Sequence, residues 1–68
     1  MTNENELQTV IDSSGISISF ISEKLGISRS AFYKKMRNET EFKASEIAKI
    51  TEVLHLTDQQ RDAIFFAA

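Results

Sequence analysis

A chain of 68 residues is expected to form one small domain. With no cysteine, no proline and a single histidine, His55, it excludes disulfides, thiolate metal sites and histidine-rich catalysis. No apolar run approaches the roughly 18 residues of a membrane span, the polar start MTNENELQ is unlike a secretory leader, and the net charge of -2 argues mildly against nucleic acid.

Apolar residues recur at three- and four-residue spacing, the period of amphipathic helices, and five short helices are predicted. The first covers about 3–14. It opens on an Asn3/Glu6 pair spaced like a capping box, lines one face with Leu7, Val10, Ile11 and Ser14, and stops at Gly15. The second starts near Ser17, faces Ile21 and Leu25 inward with small Ser22 beside them, and ends at Gly26. GISISF alternates as a short strand would, but SEKLG continues the helical period and outweighs it. Ser28 caps the third helix, whose buried pair is Phe32 and Met36. It ends near Arg37 or Asn38, and Asn tolerates the left-handed exit. NETEF is a loop. The fourth helix spans about 44–54, with Ile47, Ile50 or Thr51, and Leu54 facing inward. Lys43 is a poor N-cap, offset in part by Glu46 in the first turn, and His55 suits a positive-φ exit. Thr57-Asp58-Gln59-Gln60 is a capping box for a fifth helix running to the end, where Ile64 with Phe65 or Phe66 closes the core.

Catalysis is poorly supported. Neither G-x-S-x-G nor a P-loop occurs, His55 has no neighbour of obvious role, and no enzyme activity, metal or cofactor is expected. The informative stretch is ISISFISEKLGISRSAFYKKMRN, residues 16–38, which reads as two helices joined by a tight L-G-I-S turn. That is helix-turn-helix spacing, with a second helix of the kind that enters the major groove. Charge favours the same region. Residues 28–43 hold five cations (Arg29, Lys34, Lys35, Arg37, Lys43) and two acids, a local +3, and the remainder is -5.

SEKLGISRSAFYKKM, followed by EFKASEIAKI, LHL and a terminal IFF, resembles the lambda-repressor-like helix-turn-helix regulators. More narrowly, it is similar to the Cro-like and repressor-type proteins of phages and prophages of Gram-positive bacteria. The resemblance covers about 7–66. Its most specific parts are the L-G-I-S turn and the F-x-x-S-E-I opening of helix four. It implies an all-α, compact five-helix bundle, residues 1–68 being a single domain with helices two and three as the helix-turn-helix. It further implies a transcription regulator acting on double-stranded operator DNA in the cytoplasm of a bacterial host, with no membrane involvement. Carried over, it puts base contacts at Arg29, Ser30, Tyr33 and Lys34, and phosphate contacts at Ser28, Arg37 and Lys43. Arg29 is placed to pair with guanine. Tyr33 either touches sugar-phosphate or a thymine methyl or shields Met36, and Lys35 turns partly inward with its stem buried and its head in solvent.

The chain departs from the family at Ile18, where a phosphate-binding glutamine is common, and at Ser22, where Ala is usual. Phe20 is expected to pack against helix one or five. Periodicity gives Ile18 no buried partner, so Ile18 and Phe20 form a candidate protein-partner patch. A homodimer on a two-fold site would use helix five and residues 65–68. The alternative function is an antirepressor or modulator that binds the phage repressor protein itself and alters its operator binding, the acidic body complementing a basic partner.

Overall fold

Helices in this chain begin where a side chain takes up an amide that the helix leaves without a partner. In the computed structural model, which describes residues 1–66, Asn3 Oδ1 accepts from the Glu6 N–H at 3.1 Å and Ser17 Oγ from the Phe20 N–H at 3.1 Å. Ser28 Oγ accepts from the Ala31 N–H and Thr57 Oγ1 from the Gln60 N–H, both at 3.0 Å. These caps open α1 (Glu4–Ser14), α2 (Ile18–Leu25), α3 (Arg29–Met36) and α5 (Asp58–Arg61). Before α4 (Ala44–Leu54) stands Lys43, whose ammonium cannot accept; Glu46 reaches back instead, its Oε1 accepting from the Lys43 N–H at 2.7 Å. The box at α1 is half of what its spacing suggests. The Asn3 N–H donates not to Glu6 but to the Ile64 carbonyl at 2.7 Å, tying the first helix to the last turn.

Three exits share one geometry. After α2, the Ile27 N–H reaches the Ser22 carbonyl at 3.0 Å and the Gly26 N–H reaches Glu23 at 3.1 Å, with Gly26 at φ +73. This Schellman arrangement recurs with Asn38 (φ 67) after α3 and His55 (φ 53) after α4. Asn and His therefore do at two corners what glycine does at the third. Ile27 and Leu56, each following its left-handed residue, pack onto or into the core and fix the direction in which the next helix leaves.

Among the described residues the fold is all-helical, with a radius of gyration of 10.6 Å, close to the roughly 11 Å of a folded chain this long. α2 packs against both α3 and α4, while α1 lies across α4 and the last turn. Leu7, Ile21, Phe32, Ile50 and Ile64, one from each major segment, are fully buried at the centre. Phe42, from the NETEF loop, joins them. Its ring meets Phe32 edge-on at 5.6 Å and Phe65 at 5.5 Å.

The end of the chain differs from a continuous fifth α-helix. After Arg61 the backbone widens into a π-helical turn, Asp62–Phe66. The wider turn directs adjacent Ile64 and Phe65 into the core together and leaves Phe66 60% exposed. Residues 67–68, part of the expected dimer contact, lie outside the described residues.

Ser22 is buried on the inner face of α2, and its Oγ has no hydrogen-bond partner. A buried hydroxyl left unpaired costs about 1 kcal/mol or more. Ser22→Ala is therefore expected to raise stability by about 1 kcal/mol, read as a rise in melting temperature of about 4–8 °C. An unchanged or lowered melting temperature would mean that the hydroxyl is satisfied in solution.

Candidate nucleic-acid interface

Phe32 and Met36 anchor α3 from below, which turns Arg29, Ser30, Tyr33 and Lys34 outward. All four are exposed, Tyr33 at 39%. The helix is set by a three-residue connection from α2, 26–28, whose geometry the Gly26 exit and the Ser28 cap determine. Ser28 spends its oxygen on the Ala31 amide, so its approach to a ligand runs through a hydroxyl already engaged.

The C-terminal end of α3 is held by a clasp that periodicity does not reveal. The Thr2 N–H donates to Asn38 Oδ1 at 2.8 Å, and Asn38 Nδ2 donates to the Thr2 carbonyl at 2.9 Å. The chain start is thus fastened to the exit of the exposed helix, and Thr2 is buried there.

The five cations of residues 28–43 are not equivalent. Lys35 is turned inward as expected, but its head is not in solvent: Nζ lies 3.1 Å from Glu46 Oε1 and donates to the Glu41 carbonyl at 3.1 Å. The two side chains are 13% and 9% exposed. Burial pushes the Glu46 carboxyl up, but the Lys43 N–H bond and the Lys35 ammonium outweigh it, with Lys43's charge assisting, and hold it below its ordinary value. Lys35 therefore joins α3 to the start of α4 and is lost to the exterior. Arg37 remains on the surface, with Nε donating to Glu39 Oε2 at 2.9 Å. Among the described residues Arg29, Lys34 and Lys43 are in no ion pair.

The apolar pair on α2 is divided by the packing. Ile18 is half-buried against the core, beside Tyr33 in a shallow depression that Gln8, Asp12 and Ile16 also line. The partner missing from its helical period comes from outside the helix. Phe20, expected to pack against the first or fifth helix, is instead 46% exposed, with the Lys24 ammonium 5.2 Å from its ring centroid. α1 carries three acids (Glu4, Glu6, Asp12) and no cation, and all three are exposed.

Among the described residues no group of three or more His, Cys, Asp or Glu is arranged to hold a metal, and no helix is long and apolar enough to cross a membrane. Among the described residues the fold defines an all-helical protein of five short helices, with the outer side of α3 exposed and cation-bearing. Comparison with protein-family models, curated proteins and solved structures yields no match.

Proposed function

We propose that this protein is a sequence-specific DNA-binding transcription regulator of the helix-turn-helix kind, with α3 lying in the major groove. The observation that carries the reading is the outer side of α3. Arg29, Ser30, Tyr33 and Lys34 stand exposed on one helix whose opposite side is buried, and among the described residues both cations are free of carboxylates. A helix about 10–12 Å across fits the roughly 12 Å major groove, where Arg reads guanine through two hydrogen bonds. Lys43, exposed at the start of α4, supplies a phosphate contact that positions the helix without reading sequence. So short a contact surface calls for a homodimer on a two-fold operator, with exposed Phe66 as an apolar group within the expected contact. The net charge of -2 does not oppose this, because the acids lie largely outside residues 28–43.

Binding to duplex DNA from the protein's own promoter region is expected to weaken steeply with salt. Arg29→Ala should cost about 1–3 kcal/mol and relax preference at one position, whereas Lys43→Ala should weaken all duplexes alike and reduce the salt slope by about 1. Competition titrations across sequences and salt concentrations check both. A wild-type chain that shows no salt-dependent binding rules the reading out.

The exposed Phe20 and the cation-free α1 favour a second reading: a modulator that binds a repressor protein. The test is mixing with any repressor encoded beside it. If neither co-elution nor loss of the repressor–operator complex occurs, this reading is removed.

A further inference from the structure

Among the described residues, the Arg37–Glu39 pair is the one place where the exposed cationic region neutralises itself. The main chain of Glu39 is fixed beside Arg37. Its N–H donates to the Lys34 carbonyl at 2.9 Å in the α3 exit, next to Asn38, which Thr2 clasps. Its carboxylate is thereby kept within reach of Arg37, at 2.9 Å from Nε. Glu41, three residues before α4, offers a contrast on the same loop. It is exposed, and only its carbonyl is engaged, by Lys35.

We propose that Glu39 is an intramolecular stand-in for a phosphate: it holds the Arg37 guanidinium in the free protein and sets the affinity of this face for DNA below what its cations would otherwise give. The proposal rests on the DNA-binding reading above. An ion pair half exposed on each side, 51% and 53%, leaves the guanidinium open to a phosphate that must compete with the carboxylate for it. A phosphate approaching Arg37 also meets the carboxylate as a like charge, because the backbone bond keeps the main chain of Glu39 beside Arg37. Arg37 therefore contributes less than a free arginine, and non-specific binding is the quantity most reduced. Such binding depends on the number of phosphates neutralised and on little else.

The test uses the full chain and a labelled duplex of random sequence. Glu39→Gln is expected to bind roughly three- to eightfold more tightly near 0.1 M salt, with the salt slope steeper by about 0.9, the increment of one added phosphate contact. Glu39→Ala, which removes the carboxylate without an amide in its place, should give the same gain. Arg37→Gln should change little alone but erase the gain when combined with Glu39→Gln. Glu41→Gln removes an equal charge from the same loop and should leave the slope unchanged. An equal gain from Glu41→Gln, or an unchanged slope in Glu39→Gln, overturns the proposal. A direct readout is the Arg37 Nε–H resonance, which should shift and exchange faster in Glu39→Gln; an unchanged resonance also overturns it. If the wild type and both Glu39 variants fail to bind duplex at low salt, the DNA-binding reading falls and takes this one with it. Wild-type binding with no gain in the variants overturns the role of Glu39 alone.

Discussion

Phe42→Ala is expected to lower stability by about 3–4 kcal/mol and the melting temperature by about 15–25 °C. The ring is 9% exposed and sits between two others, Phe32 at 5.6 Å and Phe65 at 5.5 Å, both edge-on. Truncation removes the transfer term of a buried aromatic, leaves a cavity, and breaks two ring contacts worth about 0.5–1.5 kcal/mol each beyond their area. Rigid helices on both sides cannot close the gap: Phe32 belongs to α3, and Phe65 is held by the turn whose Ile64 carbonyl binds Asn3. A chain of this length has only about 3–10 kcal/mol of stability in total, so the variant is expected to be partly unfolded at 37 °C. Phe42→Leu, which keeps apolar volume, should recover most of the loss. Urea and thermal unfolding of both variants measure this. A Phe42→Ala chain as stable as the wild type would place the ring outside the core.

The same residue marks the boundary of what the sequence discloses. Local signals were legible. Asn3, Ser17, Ser28 and Thr57 cap the helices that their chemistry announces, and Gly15, Gly26, Asn38 and His55 take the left-handed exits. Each depends on atoms within about four residues, the range over which helix-terminus rules operate. What stayed hidden depends on partners distant in sequence. Periodicity identifies the inward side of a helix, but Phe42 has no helix and therefore no period. The Thr2–Asn38 clasp spans 36 residues and has no spacing rule. Ile18 lacked a partner only because its neighbours lie outside its own helix. The candidate interface divides the same way. The outward turn of Arg29, Ser30, Tyr33 and Lys34 follows from the burial of Phe32 and Met36, whereas the pairing of Lys35 and Arg37 needed the neighbouring backbone. A charge total over residues 28–43 therefore overstates the cations available on the surface.

Loss of the Lys35–Glu46 pair is the second large effect expected. Glu46→Gln should cost about 2–3 kcal/mol at pH 7, less than the 3–5 of a fully enclosed pair because both side chains keep slight exposure. Gln can still accept from the Lys43 N–H and so keeps the start of α4, which confines the loss to the Lys35 ammonium left without its counter-charge. Lys35→Met strands the other partner. Glu46 then keeps the Lys43 N–H but loses the ammonium that offsets its burial, and its carboxyl pKa should rise. The combined Lys35→Met/Glu46→Gln chain should be more stable than the two single losses predict, by a coupling of about 1–3 kcal/mol. The pH dependence follows from the lowered Glu46 value in the folded state. A carboxyl with a depressed folded pKa binds its proton more readily when unfolded, so its contribution is complete above the ordinary carboxylate range near 4.3 and falls away as pH drops through the folded value. Wild type and Glu46→Gln should accordingly differ most near neutrality and converge on acidification below about pH 4. Urea unfolding at several pH values reads this directly, and a gap between the two chains that stays constant down to pH 3 would show that Glu46 contributes through shape rather than through charge.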